Sequence, residues 1–202
     1  MGPESVRRED SVTVAVTTCV ENLRSNHAVS HEESFGNKKK VVHFSNDTLE
    51  KQLKHFATLR HTEPMKAKTI YETGEMLVTM ASEGMYGKFR SAIESAGASE
   101  ILLFHINKMF LNSLLGGYFM ISNYIIECGY PFCSFSLPPA LHECLSSAND
   151  DSRCKEIAEF LIEKGFDVNH QDPRDWSTPL HVAVKHQLVK TIQYLLSKGS
   201  SS

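Results

Sequence analysis

The sequence predicts an all-α solenoid of helix-turn-helix repeats behind a largely disordered N-terminal arm. Three observations carry that expectation. Short amphipathic segments ending in glycine recur at near-constant spacing. Another helix signal, built of smaller residues, precedes them. The first 37 residues show no sustained hydrophobic period and are rich in Ser, Thr, Asn, Glu and Arg.

The recurring segments are KFRSAIESAG, MISNYIIECG, EIAEFLIEKG and KTIQYLLSKG, which end on Gly97, Gly129, Gly165 and Gly199. These glycines follow one another by 32, 36 and 34 residues, close to the roughly 33-residue period of one helical repeat type. Each segment spaces apolar residues three and four apart, as Ile157, Phe160 and Leu161 do, so that one helix face is buried. The closing glycine ends the helix in the left-handed conformation without a Cβ penalty.

A first helix precedes each of these. In the last unit Thr178-Pro179 opens it: Thr caps, and Pro fits the first helical position, where no N–H is needed. Leu180, Ala183 and Val184 are then expected to face inward. STPLHVAV at 177–184, with GFDVNHQD at 165–172 before it, resembles the ankyrin repeat, a β-turn plus two helices. PPALHECL at 138–145 is a degenerate copy: Leu141 and His142 match, Cys144 takes the small-residue place, and Pro139 replaces the threonine. The unit ending at Gly129 keeps its second helix but has lost the opening motif, and residues 76–98 resemble a first, capping repeat. The resemblance runs from about Met65 to the C-terminus. It implies an array of about four units over 65–202, divided as 65–97, 98–131, 132–165 and 166–199. It also implies that His142 and His181 are structural, hydrogen-bonded to neighbouring turn backbone.

Three departures stand out. SSANDDSR at 146–153 is inserted between the helices of the third unit and reads as an exposed loop. Asp175-Trp176 stands where the family usually shows glycine. The array ends at KGSSS without the polar capping unit usual at a terminus, which reads as a truncated or spliced chain, or an end that a partner covers.

A solenoid of this kind binds through its turn tips and exposed first-helix positions. The expected partner-binding residues there are Asp172, Arg174, Asp175, Trp176, Lys185 and His186. Trp176 is the sole tryptophan. It is either a hot spot at a turn tip or a side chain packed on its own neighbours.

Upstream of the array, residues 1–37 form the arm and 38–64 a basic segment with an amphipathic helix. Asp47-Thr48-Leu49-Glu50 resembles a capping box, and Leu49, Leu53, Phe56 and Leu59 fall on one stripe, with Thr62 and Pro64 ending the helix. KVVHF, within which Lys40, Val42 and Phe44 would make the contacts, resembles the RVxF docking motif of protein phosphatase 1 regulators. Such a peptide adds along a sheet edge and drops alternate apolar residues into pockets. The other reading is that VVHF packs as a strand or staple on the N-terminal edge of the array.

Composition narrows the function classes. A net charge of −3 gives no overall pull toward nucleic acid or anionic membrane. Five cysteines without framework spacing read as reduced thiols of a cytoplasmic or also nuclear protein. Cys128, Cys133, His142 and Cys144 are the best metal-ligand candidates, but their spacing is loose for zinc, and no metal or cofactor is expected. The uncharged run at 109–126 is interrupted by Gly116-Gly117 and reads as two buried helices rather than a span. No phosphate loop, nucleophile elbow or carboxylate pair appears. The expected function is therefore non-catalytic: a protein-binding scaffold or targeting subunit. The catalytic subunit of protein phosphatase 1 is the specific partner candidate, and a ubiquitin-ligase substrate adaptor is the alternative. Nucleic-acid binding and stable membrane insertion are not expected.

Overall fold

The computed structural model describes residue 44 and residues 49–96, 101–130, 139–148 and 150–199. Among them every regular element is a helix. In chain order these are α1 (Leu49–Thr62), α2 (Pro64–Ser82), α3 (Tyr86–Ala96), α4 (Leu103–Leu115), α5 (Phe119–Glu127), α6 (Ala140–Ser147), α7 (Asp151–Glu163), α8 (Pro179–Lys185) and α9 (Val189–Ser197). From α2 onward they pair as helix and return helix. First helices α2, α4, α6 and α8 pack in a row, and among the return helices α3 packs on α5 and α7 on α9. One apolar core runs through the stack, from Leu77 and Phe89 through Phe110, Ile125 and Leu145 to Leu195.

The units close as their sequence suggests. Gly129, Gly165 and Gly199 take φ of 89°, 90° and 85°, the left-handed backbone that ends α5, α7 and α9. Gly97 lies outside the described residues. The uncharged run at 109–126 is split between α4 and α5, with Gly116 and Gly117 between them. Its two polar core side chains satisfy each other. The Ser113 hydroxyl donates to Phe110 O at 2.8 Å and accepts from Ser122 Oγ at 2.7 Å. No helix among the described residues is long and apolar enough to cross a membrane.

Three expectations need correction. In α1, Leu53 is exposed. The buried face is instead made by Gln52 and Leu59, with Phe56 half-buried. Gln52 faces inward because its Oε1 accepts from the N–H of Leu103 at 2.7 Å, filling an orphan donor at the start of α4. Pro64 does end α1, but as the first residue of α2, where its missing N–H is harmless. The inserted residues 146–153 are mostly helical: Ser146 and Ser147 finish α6, and Asp151 to Arg153 form the first turn of α7. Asp150 caps that turn by accepting from Ser152 and Arg153 N–H, both at 3.2 Å. Val184, expected inward, is 57% exposed, whereas Leu145, also three residues after its unit's histidine, is fully buried. Among the described residues no helix pair packs on the far side of α8 and α9.

Candidate protein-interaction site

The turn between α7 and α8 carries most of the expected contact residues, and its own hydrogen bonds order it. Asp172 N–H donates to Ser177 O at 2.8 Å, and Trp176 N–H to Asp172 O at 2.7 Å. Arg174 N–H donates to Asp172 Oδ1 at 2.9 Å, and Ser177 N–H to Asp175 Oδ1 at 3.0 Å. Pro173 has no N–H to place. A turn whose donors are so occupied holds one conformation rather than many.

Asp172 was expected at the tip and lies inside it, 3% exposed. Its carboxylate accepts from Arg174 Nε through both oxygens at 3.0 Å, and from Arg174 Nη2. These guanidinium bonds hold its carboxyl down to about 2 and push the Arg174 guanidinium up. Arg174 also reaches Glu143 on α6 at 3.1 Å, tying the turn to the preceding unit. Asp172 is thus a buried clamp and not a contact residue. Glu143 is a partner of the turn that sequence reasoning missed, since nothing in its spacing links it to Arg174.

His142 lies at the junction of the third unit with this turn. Its Nε2–H donates to Ser177 O at 2.9 Å, joining the third unit to the turn of the fourth. Burial lowers its pKa and outweighs the carbonyl bond, which favours the charged form, so the ring is neutral. Its Nδ1 then has no donor among the described residues. In the last unit Thr178 N–H supplies that donor to His181 Nδ1 at 3.1 Å. In the third unit the corresponding cap is Pro139, which has neither N–H nor hydroxyl.

Trp176 is 70% exposed, and its φ is 62°. It occupies the place where ankyrin repeats usually have glycine, in the left-handed region that a Cβ-bearing residue pays for by roughly 1–2 kcal/mol. Asp175 is exposed beside it, and Lys185 and His186 are exposed at the end of α8. A cleft of about 140 Å³ brings Asp175 and Lys185 together with Glu143, Arg174 and His181. A larger groove of about 610 Å³, between α1 and α2, contains none of the expected site residues.

Phe44 is not on offer as a docking anchor. It is 5% exposed, packed into the core, and its N–H donates to Cys128 O at 2.8 Å at the end of α5. Packing on the array was the other reading of this segment. Lys40 and Val42 lie outside the described residues. Cys128, Cys144 and Cys154 are buried free thiols, and no group of His, Cys, Asp or Glu among the described residues is arranged to hold a metal. Cys133 lies outside them.

The stack of helix pairs joined by a hydrogen-bonded turn defines the ankyrin-repeat architecture, and comparison with known proteins agrees. Residues 140–196 match the family profile "Ankyrin repeats (many copies)". A fowlpox virus (strain NVSL) protein, itself named as an ankyrin repeat protein, is 40% identical over 70 residues. That stretch is 34% of this chain and 15% of the viral protein, so the chain spans a small part of that relative. Residues 140–196 are ankyrin repeats, and repeats of this class mark a protein–protein interaction domain.

Proposed function

We propose that this chain is a non-catalytic scaffold or targeting subunit that holds a protein partner on the first-helix and turn side of its array, with Trp176 as the central contact. One observation carries the reading. A large aromatic side chain is kept exposed, in a backbone conformation that favours glycine, on a turn held by its own hydrogen bonds from Asp172, Arg174, Trp176 and Ser177 N–H. Backbone strain of this kind clusters at functional sites, and tryptophan is enriched among residues that dominate binding energy. The array fixes geometry and leaves partner identity to the side chains at this turn.

The test separates stability from binding. Trp176→Gly should raise stability by about 1 kcal/mol, because the left-handed strain is relieved. The same substitution should remove the proteins that wild type retains in a quantitative affinity comparison. An unchanged set of retained proteins would reject the reading. Two finer readings follow from it. The first is a regulatory subunit of protein phosphatase 1 docking through Lys40, Val42 and Phe44, which requires Phe44 to leave the core. Calorimetry of that catalytic subunit against wild type and Val42→Ala/Phe44→Ala tests it: binding lost in the double variant supports docking, and no binding by wild type retires it. The second is a ubiquitin-ligase substrate adaptor, for which recovery of a ligase subunit with wild type but not with Trp176→Gly would speak.

A further inference from the structure

The seam between α2 and α4 encloses an ionisable ring where an apolar side chain would pack more simply. His105, in the first turn of α4, is fully buried. Its two nitrogens face different surroundings. Nε2 lies 3.3 Å from Oε1 of Glu75 on α2, a contact of charge rather than an aligned hydrogen bond. Glu75 also meets Lys108 Nζ, at 3.4 Å. Nδ1 has no hydrogen-bond partner among the described residues. It points at Gly74, where a Cβ would stand 2.1 Å away. The rings of Phe104 and Tyr71 close the sides, with centroids at 3.9 and 5.2 Å. The neutral ring suits this place, with its proton on Nε2 toward Glu75. The charged ring does not. Its second proton must sit on Nδ1, which faces backbone carbon and no acceptor, and a donor buried in that way is costly. The charged groups acting on the ring are Glu75, which favours the charged form, and Lys108, which opposes it. Among the described residues no charged group of α1, α5 or α6 acts on it. Burial outweighs Glu75 and lowers the pKa from its ordinary 6.5.

We propose that His105 is a proton-operated latch: mild acid, by placing a proton on Nδ1 against Gly74, parts the seam between α2 and α4. The ring cannot turn Nδ1 toward water between its aromatic neighbours, so the charge is hydrated only when the two helices separate. Helix α1 opens in the same step, because it is tied across the seam by the bond from Leu103 N–H to Gln52 Oε1, two residues from His105. The direction follows from linkage. A histidine whose folded pKa is lowered stabilises the fold fully above its ordinary value, and that stabilisation is lost as pH falls through 6.5 toward the folded value. The latch is therefore closed at neutral pH and loosens below it. It lies at the other end of the array from the Trp176 turn, so the two proposals stand or fall separately.

The test is native-state hydrogen exchange of the full chain from about pH 7.5 to about 5, around the ordinary histidine range. Protection factors, which remove the intrinsic pH dependence of exchange, should be constant above about 6.5 in α1, α2 and α4. Below it they should fall by up to about tenfold per pH unit. His105→Gln keeps a donor for Glu75 but does not titrate, and it should remove this fall. It should leave any fall in α6 to α8, where burial also lowers the pKa of His142 and His170. Glu75→Gln removes the charge that favours the imidazolium, so the fall should continue to lower pH. The wild type gives a check that needs no variant: the His105 ring resonances should titrate below 6.5, together with the amides of Gly74 and Leu103. Constant protection of α1, α2 and α4 down to about pH 5 would overturn the proposal. So would a fall that survives His105→Gln, a fall whose extent Glu75→Gln leaves unchanged, or a ring that titrates at its ordinary value.

Discussion

The two halves of the array are joined by different chemistry. Between the third and fourth units the contacts are polar staples onto backbone. His142 donates to Ser177 O. The Asp151 carboxylate accepts from Lys190 N–H at 2.7 Å, from Thr191 N–H at 3.1 Å and from Thr191 Oγ1 at 2.9 Å. Between the first and second units the contact is close approach. Gly74 of α2 lies against His105 of α4, so closely that a Cβ built at residue 74 would be 2.1 Å from His105 Nδ1. The α2–α4 pair is the most extensive helix contact among the described residues, and α1 packs on both members. Polar staples depend on residue identity at fixed places, so they leave a readable motif. Close packing depends on the absence of bulk, and many sequences satisfy it.

The largest effect should come from the N-terminal half. The His105 ring is fully buried, 3.9 Å from the Phe104 ring and 5.2 Å from Tyr71 between centroids, so it has nowhere to swing. Gly74→Ala should therefore cost about 3 kcal/mol in chemical denaturation. His105→Ala in the same chain should recover part of that loss, which a double-mutant cycle would record as coupling. Additive losses would mean that the two positions do not press on each other.

In the C-terminal half Asp151→Ala should cost about 2 kcal/mol, the usual worth of bonds to a charged acceptor. Hydrogen exchange should show the loss in α9 and leave α2 and α4 protected. A uniform loss across the chain would contradict the division drawn above. Burial favours the neutral form of Asp151, but the bonds from Lys190 and Thr191 outweigh it and lower its pKa.

Acid should reach the turn late, because its carboxylate keeps its charge below the ordinary range. The folded-state pKa of Asp172 is depressed, so its stabilisation is complete above the ordinary value of 3.8 and is lost as pH falls through about 2. Trp176 is the one tryptophan in the sequence, so its fluorescence reports this turn alone. A transition in that window, absent from Asp172→Asn, is expected. The smallest effect is a gain. Pro139→Thr gives His142 Nδ1 the donor that Thr178 gives His181, and should raise the melting temperature by an amount matching about 1 kcal/mol. A fall instead would mean that Pro139 matters more for the entry of the chain into α6.

What was legible in the sequence follows the same division. The Thr178-Pro179-Leu180-His181 opening and the glycine helix ends mark the last two units, because each residue there has a backbone role that few others can fill. The left-handed place of Trp176 was also legible, through the glycine it replaces. Asp151 was not: within Asn-Asp-Asp-Ser its composition reads as loop, and only the position of α9 reveals what it holds. Gln52 and Gly74 were hidden for a related reason. Their partners, Leu103 and His105, are distant in sequence, and neither pairing leaves a local pattern.

The most direct test of the account is native-state hydrogen exchange at the turn. Its central claim is that Trp176 is presented by pre-ordered backbone and not by a loop that orders on binding. The amides of Asp172 and Trp176, bonded to Ser177 O and Asp172 O, should exchange as slowly as those of the adjoining helices, and Asp172→Asn should release them. Exchange at unprotected rates in the wild type would contradict the claim.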